Sequence, residues 1–255
     1  MQRIELLGVP IDPLRMEQAV ATILSWARAD RGETCRFVVT PNVDHVVMLH
    51  EREDLRRAYE AAALILADGK PVVWASRLLG RPLPGLVPGS DLVPALFSAV
   101  APDERLSVYL LGAGPGVAER AAQNIERLWP QVRIVGSYSP PLGFERDDAE
   151  NELILDKIAA ATPQVVVVGL GAPKQELWVH RHQRQIMAQV ALCVGATIDF
   201  LGGEKARAPQ WMRKAGLEWL HRVWMEPKRL AGRYARDAWV FPRLVLKELL
   251  TNRQT

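Results

Sequence analysis

Short apolar runs alternate with segments of helical period along most of this 255-residue chain, and this alternation restricts the fold more than any other feature. The apolar runs lie at residues 36–39, 63–66, 107–111, 132–135, 165–168 and 191–194. The helical segments include residues 16–29, 43–62, 117–129 and 147–161. Continuous apolar runs are typical of strands that are covered on both faces. The alternation therefore predicts an α/β fold with a mostly parallel sheet and right-handed crossovers.

The C-terminal fifth of the chain differs in charge from the rest. Residues 205–253 contain twelve Lys or Arg and four Asp or Glu, although the net charge of the whole chain is only +3. The basic character therefore belongs to this segment. We predict a catalytic α/β core over residues 1–202 and a basic helical appendage over residues 203–255.

Cysteine usage and the N-terminus bear on location. Cys35 and Cys193 lie in apolar runs, which favours buried thiols in a reducing cytoplasm over a disulfide framework. The charged N-terminus is unlike a signal peptide. No apolar run approaches the roughly 20 residues that a membrane-spanning helix needs. We therefore expect a cytoplasmic protein without a membrane span.

Polar side chains follow the first two predicted strands, at the sheet edge where parallel sheets bind ligands. Thr40 and Asn42 come after the first strand, and Asp68 comes after the second. Asn42 is either a helix cap or a ligand contact. Asp68 is either a cap for the next helix or a carboxylate that accepts a proton from a hydroxyl nucleophile.

A glycine-rich loop follows the third predicted strand, with Gly112, Gly114 and Gly116 before a helix. Such a loop lets backbone amides approach a phosphate. A nicotinamide-binding fingerprint would place an acidic residue about 20 residues further on, and here the next strand ends without one. This argues against a dehydrogenase and leaves binding of a nucleotide diphosphate open.

The last two predicted strands are also followed by polar residues. Lys174 and Gln175 lie in the first turn of a helix, where a lysine is unfavourable unless an anion is near; solvation at the surface is the alternative. Gln175 offers a donor and an acceptor for sugar hydroxyls. Asp199 is either a paired structural carboxylate or a second carboxylate of the site.

Nothing in the sequence predicts a metal or a cofactor. The five histidines have no ligand-like spacing, and no Asp-x-Asp motif occurs. An enzyme that releases a diphosphate without a metal needs other cations, and arginine suits that role. The tail places Arg222, Arg229, Arg233 and Arg236 at spacings of 7, 4 and 3, with a break expected at Pro227. Its Trp and Arg content fits either the lipid headgroup zone or docking on the core.

Several segments together resemble the WecG/TagA/CpsF glycosyltransferases (glycosyltransferase family 26). The matching segments are residues 40–42, 67–74, 89–91, 111–116, 169–176 and 207–229. The resemblance runs from about residue 4 to about residue 241. One departure is Gly232, which stands where many members have the first Arg of a pair before the tail Tyr. Residues 137–144 also differ from the version common in the family.

The resemblance implies a Rossmann-like core of the GT-E type and an inverting, metal-independent enzyme at the inner face of the cell membrane. Members move a sugar, often N-acetylmannosamine, from a UDP-sugar to a polyprenyl-diphosphate-linked sugar in cell-surface polymer assembly. It places Asp68 at the family's base, Thr40 and Gln175 at substrate contacts, and Arg222 and Arg229 at its tail arginines.

Our hypothesis is a single displacement. Asp68 takes the acceptor proton, while Arg222, Arg229, Arg233 and the glycine loop hold the leaving diphosphate. Two alternatives are a non-catalytic nucleotide-binding module at the membrane, in which Asp68 is only a cap, and a nucleic-acid binder that uses the tail for stacking. The glycine loop would have no purpose in a nucleic-acid binder, so we expect no nucleic-acid partner.

Overall fold

The computed structural model describes residues 2–252, except the side chains of Lys214, Ala215, Arg229 and Asn252. Its strands are β1 (Ile4–Leu6), β2 (Val9–Ile11), β3 (Arg36–Val39), β4 (Leu64–Ile65), β5 (Leu106–Gly112), β6 (Val132–Tyr138), β7 (Val165–Gly169) and β8 (Val190–Cys193). Its α-helices are α1 (Met16–Arg28), α2 (Val43–Glu51), α3 (Glu53–Ala61), α4 (Lys70–Leu78), α5 (Gly89–Ser98), α6 (Val117–Leu128), α7 (Asp148–Ala161), α8 (Lys174–His182), α9 (Thr197–Leu201), α10 (Gln210–Ala215), α11 (Glu218–Met225) and α12 (Pro227–Asn252). A short 3₁₀ helix covers Phe144–Arg146.

Six of the strands form one parallel sheet in the order β4-β3-β8-β7-β5-β6. All six correspond to the apolar runs of the sequence, so the Rossmann-like parallel sheet with flanking helices is confirmed. Val39 of β3 lies opposite both Ile65 of β4 and Cys193 of β8. This register brings the carboxyl ends of these strands to one edge of the sheet.

Both faces of the sheet are covered, as the continuous apolar runs predict. Phe37 and Val39 belong to a core cluster on one face, together with residues of α2, α3, α7 and α8. Val38 belongs to a second cluster on the other face, with residues of α1, α5 and α6. Alternate residues of one strand are therefore buried against different helices, which leaves no room for a polar side chain within the strand.

Two local features differ from the sequence expectations. The helical segment 43–62 is two helices, because Arg52 takes an extended conformation between α2 and α3. Strands β1 and β2 form an antiparallel hairpin that the apolar pattern does not indicate. Its turn has positive φ at both Leu7 and Gly8. Tight hairpins usually carry Asn or Asp at the first of these positions, so a leucine at position 7 does not indicate a turn.

The C-terminal residues form three helices, as the predicted helical appendage requires. Pro227 ends the preceding helix and begins α12, so the predicted break is confirmed. Helix α12 packs on α2, and its Phe241 and Val245 are buried in the same cluster as β3. Glu248 accepts a hydrogen bond of 2.9 Å from the backbone N–H of Leu7. The division of the chain at residue 202 stays a prediction.

Within residues 2–252, no helix combines the length and the apolar character that crossing a bilayer requires.

Candidate active site

A polar cavity of about 360 Å³ lies at the carboxyl ends of β4, β3, β8 and β7. Helices α11 and α12 close it from the C-terminal side. The polar and charged side chains in its lining are Thr40, Asn42, Asp44, His45, Asp68, Ser90, Gln175, Asp199, Glu204, Lys205, His221, Arg222, Glu226, Arg233, Tyr234 and Asp237. This is the sheet edge at which parallel sheets bind ligands.

Asp68 lies in the turn between β4 and α4. Its backbone N–H donates to the carbonyl of Pro41 at 2.9 Å, which fixes the turn beside the end of β3. Gly69, at φ +93°, is the cap residue of α4, and no side chain hydrogen-bonds to that cap. The carboxyl group is therefore not the cap that one interpretation of the sequence proposed, and it faces the cavity.

The surroundings of Asp68 oppose its charge. Burial raises the pKa of this carboxyl group to about 6. Arg222 and His45 stabilise the carboxylate, whereas Glu218 and Asp91 destabilise it. A carboxyl group with a pKa near 6 is ionised at neutral pH and still basic enough to take a proton from a hydroxyl group in a transition state.

Thr40 and Asn42 reach the cavity from the end of β3. Thr40 is buried, and its hydroxyl donates to the carbonyl of Cys193 at 3.4 Å. Asn42 caps α2, since its side-chain oxygen accepts the backbone N–H of His45 at 3.3 Å. The two interpretations of Asn42 therefore coexist, because its side chain caps the helix and also lines the cavity.

Gln175 joins two strand ends beneath the cavity. Its side-chain oxygen accepts the backbone N–H of Gly195 at 3.1 Å, and its amide nitrogen donates to Glu176 at 2.8 Å. Both Gln175 and Glu176 are buried. Glu176 also lies 3.4 Å from Nε2 of His45. These contacts fix the relative positions of the ends of β3, β7 and β8.

Helices α11 and α12 bring cations to the opposite wall. The guanidinium of Arg222 lies 5.7 Å from the ring centre of Phe200 and pairs with Glu218 at 3.5 Å. Arg233 forms an ion pair with Asp44, which also contacts Arg236 at 3.2 Å. The side chain of the third predicted arginine, at position 229, lies outside the described residues.

Asp199 is paired and also lines the cavity, so neither interpretation of the sequence alone describes it. Its carboxylate lies 3.5 Å from the ammonium group of Lys205, which in turn lies 3.0 Å from Glu226. This chain of charges links the end of β8 to the junction of α11 and α12.

A second cavity of about 290 Å³ adjoins the first and is mostly apolar. The two cavities share Asn42, Asp68, Arg222, Tyr234 and Asp237 in their linings. Leu86, Trp219 and Phe241 give the second cavity its apolar character, and Lys70 and Arg213 add charge to it. Asp68 therefore stands in the wall between a polar space and an apolar one.

The sequence model of the glycosyl transferase WecG/TagA/CpsF family matches residues 4–255 of the chain. The N-acetylglucosaminyldiphosphoundecaprenol N-acetyl-beta-D-mannosaminyltransferase of Staphylococcus aureus strain MW2 is 32% identical over 228 residues, which cover 89% of this chain and 87% of the relative. Its counterpart in strain MRSA252 is 31% identical over the same shares of the two chains. The chain belongs to the WecG/TagA/CpsF family. It is therefore a glycosyltransferase, and the interpretation as a non-catalytic module is set aside.

In this WecG/TagA/CpsF glycosyltransferase, some predicted site residues lie outside the lining of both cavities. These are Gly112, Gly114, Gly116 and Lys174. A side chain at Gly112 would lie 2.5 Å from the carbonyl oxygen of Gly169, so close backbone packing alone demands glycine there. Lys174 pairs with Glu145 at 3.1 Å. A role of these residues in diphosphate binding stays a prediction.

Several lining residues have no role in the sequence analysis. Asp44 and His45 lie in the first turn of α2, just after the cap residue Asn42 and the end of β3. This position could have identified them from the sequence as candidates for the site. No local sequence pattern indicates Asp237. It is only 2% exposed because α12 packs on the core, and this packing cannot be read from the neighbouring residues. Burial raises the pKa of Asp237 to about 6, with Asp44 adding to the effect.

Within residues 2–252, no three His, Cys, Asp or Glu side chains are grouped so that they could hold a metal ion.

Proposed function

We propose that this glycosyltransferase moves an N-acetylmannosamine-type sugar from a UDP-sugar to a polyprenyl-diphosphate-linked N-acetylglucosamine, with inversion and without a metal. The observation that carries the proposal is the position of Asp68 in the wall between the polar and the apolar cavity. A general base in a two-substrate transfer has to reach the acceptor hydroxyl while the donor lies on the far side of that hydroxyl.

The polar cavity suits the donor. Its opposite wall carries Lys205, Arg222 and Arg233, and a diphosphate needs cations of this kind as its charge grows. Lys205 and Arg233 are already paired with carboxylates. Arg222 lines both cavities and forms an ion pair with Glu218 of its own helix at 3.5 Å, so it is the first candidate for contact with the diphosphate.

The apolar cavity suits the acceptor. The acceptors named for the relatives are diphosphoundecaprenol-linked. Trp74, next to Gly216 of this cavity, and Trp219 in its wall are both about half exposed. Trp211, Trp224 and Trp239 add further exposed indoles on α10, α11 and α12. Indole rings favour the interface between headgroups and acyl chains, so this surface would hold the enzyme at the inner face of the membrane, where the acceptor lies.

The reaction is one displacement. The Asp68 carboxylate takes the proton of the acceptor hydroxyl, and the hydroxyl oxygen forms a bond to the anomeric carbon of the donor. The bond from that carbon to the diphosphate oxygen breaks on the opposite face, and UDP leaves with the bonding electron pair. Thr40, Asn42 and Gln175 would orient the sugars, and Arg222 would stabilise the leaving group.

The test is transfer from UDP-N-acetylmannosamine to a polyprenyl-diphosphate N-acetylglucosamine in the presence and absence of EDTA, with the anomeric configuration of the product read by NMR. We expect a β-linked product and no loss of rate with EDTA. Asp68→Asn should bind the donor normally and lower kcat by about 10² to 10⁴, as for the loss of a general base. Asp156→Asn, on the exposed side of α7, is the matched control.

A near-normal kcat for Asp68→Asn would contradict the assignment of the base and would make Asp199 the next candidate. An α-linked product would contradict the single displacement, and loss of rate with EDTA would contradict metal independence.

A further inference from the structure

A histidine in the lining of the polar cavity is buried together with a glutamate, and the proposed reaction uses neither of them. Glu176 of α8 is 0% exposed, and His45 of α2 is 7% exposed. Oε1 of Glu176 lies 3.4 Å from Nε2 of His45. Its other oxygen, Oε2, has no hydrogen-bond partner among the described residues. A buried carboxylate with so few partners needs a nearby cation.

The second ring nitrogen of His45 also faces an oxygen. Nδ1 lies 2.8 Å from the side-chain oxygen of Asn42. The orientation of that amide is fixed, because the same oxygen accepts the backbone N–H of His45 at 3.3 Å. The backbone N–H of Asn42 also donates to Nδ1, at 3.4 Å, which is a longer contact than the one between Nδ1 and the side-chain oxygen. The shorter contact of Nδ1 with the Asn42 oxygen favours an N–H at Nδ1, and the Glu176 carboxylate favours an N–H at Nε2. The charged imidazolium has both N–H groups.

We propose that His45 is a charged imidazolium at neutral pH, held by Glu176 and Asn42, and that its charge keeps Asp68 ionised as the base. This inference deepens the proposed function and rests on Asp68 being the base. His45 is then a positioning residue: it acts on Asp68 through the cavity wall rather than on the substrate. The backbone anchor between Asp68 and Pro41 places the carboxyl group next to the segment that carries Asn42 and His45.

Groups on five helices, together with Asp68 in the turn before α4, determine the charge states of His45 and Asp68. Burial opposes the charge of His45, but the hydrogen bond and charge of Glu176, with Asp44 and Asp68, outweigh it and raise the pKa of the imidazole. Arg233 and Arg236 of α12 form ion pairs with Asp44, and Asp237 of the same helix lies close enough to Asp44 for their charges to repel. The groups that act on Asp68 are Arg222 and Glu218 of α11, Asp91 of α5, and His45.

Loss of the imidazolium charge should therefore disfavour the Asp68 carboxylate. Since burial already raises the pKa of Asp68 to about 6, a further rise would move its titration toward neutral pH. The base would then be protonated in a larger fraction of molecules at pH 6 to 7, and little changed at pH 8.5. A residue that only supports the fold would lower the rate equally at every pH.

The first measurement is the charge state of His45 in the full-length protein. Two-bond ¹H–¹⁵N correlation spectra distinguish the two neutral tautomers from the imidazolium, and the His45 signal is assigned through the backbone. We expect the imidazolium at pH 7.5 in the wild type and its loss in Glu176→Gln. His182 is the internal control, since burial lowers its pKa and it should be neutral at that pH. A neutral His45 at pH 7.5 would overturn the proposal.

The second measurement is the pH profile of kcat at saturating substrate. His45→Gln keeps hydrogen-bonding capacity and removes the charge, so its acid limb should move upward by about 0.5 to 1 pH unit. Its kcat at pH 8.5 should stay within about threefold of the wild-type value. His182→Gln should leave the acid limb unchanged. An acid limb that does not move in His45→Gln overturns the proposal, whatever the loss of rate.

Glu176→Gln provides the same test if His45→Gln does not fold, because a neutral partner removes the reason for His45 to stay charged. Failure of this inference and failure of the proposed function are distinguishable. Near-normal activity of Asp68→Asn would remove Asp68 as the base, whereas the NMR spectra report the charge of His45 independently of activity.

Discussion

The two walls of the polar cavity are held in different ways. The floor, formed by Thr40, Asn42, Asp68 and Gln175, is fixed by hydrogen bonds that involve backbone groups at or just after the ends of β3, β4 and β8 and in the first turn of α2. The opposite wall on α11 and α12 is held by the packing of Phe241 and Val245 and by ion pairs of partly exposed arginines, such as Arg233 with the buried Asp44. Hydrogen bonds inside a sheet edge are insensitive to salt, whereas partly exposed ion pairs are weakened by it.

This difference suits an enzyme with one soluble and one membrane-bound substrate. The floor keeps the proposed base in a fixed position relative to the sheet. The helical wall carries the cations and the exposed indoles, so under the proposed function it is the wall that would contact the membrane surface. If the two walls differ in this way, catalysis should depend on both of them, and their stabilities should respond differently to salt.

Removal of the Arg222 side chain should have the largest effect. Arg222→Ala deletes the cation that lines both cavities, and we expect kcat/KM to fall by about 10² to 10³, as for the loss of one donor to a developing anion. The fall should be larger at pH 6 than at pH 8, because Arg222 also lowers the pKa of Asp68. Steady-state kinetics at the two pH values measure both effects.

Arg222→Lys should recover only part of the rate, since lysine keeps the charge but lacks the fork of donors. Arg127→Ala, on the exposed side of α6, is the matched control. A loss below about threefold in Arg222→Ala would mean that the helical wall does not stabilise the leaving group. The two walls would then differ in stability but not in their contribution to catalysis.

A substitution of a neutral side chain in the floor should lower the stability of the protein without changing the charge of the cavity. Gln175→Leu leaves the backbone N–H of Gly195 without its side-chain acceptor and removes the amide donor that Gln175 gives to Glu176. Each buried group left unpaired costs about 1 to 3 kcal/mol, so we expect a loss of about 2 to 4 kcal/mol in the free energy of unfolding. Urea titrations at 50 mM and 500 mM NaCl should give the same loss.

The exposed Gln123→Leu on α6 serves as the control for Gln175→Leu, because it makes the same chemical change outside the floor. A loss that shrinks at high salt would show that the floor is held electrostatically, and this would remove the contrast between the walls.

The floor was the more predictable of the two walls. Ligands bind at the carboxyl ends of parallel strands, so the residues after each apolar run are the candidates for the site. Five of these candidates line the polar cavity: Thr40, Asn42, Asp68, Gln175 and Asp199. The same rule also selected Gly112 and Lys174, which line neither cavity. The position of a residue after a strand identifies the correct edge of the sheet. Whether that residue lines a cavity depends on how closely the neighbouring strand and helix pack against it.

The helical wall was harder to predict because its geometry depends on contacts distant in sequence. The spacing of Arg222 and Arg233 indicates a shared face only if one helix carries both, and the break at Pro227 places them on two helices. The burial of Asp237 and the pairing of Arg233 with Asp44 depend on the docking of α12 on α2. No local pattern encodes a contact between residues nearly 200 positions apart.

The smallest expected effect concerns the junction of the two walls. Asp44→Asn removes the carboxylate that Arg233 and Arg236 share, and these arginines are more than one third exposed. We therefore expect a loss of only about 1 kcal/mol in the free energy of unfolding at 50 mM NaCl, and less at 500 mM. The start of α12 should also separate from α2 more often, so that trypsin cleaves faster after Arg233 and Arg236. Asp148→Asn, an exposed carboxylate on α7, is the control. If the loss of stability does not depend on salt and the rate of tryptic cleavage is unchanged, the contact between α2 and α12 behaves like the floor. Only α11 would then belong to the wall that is held by salt-sensitive ion pairs.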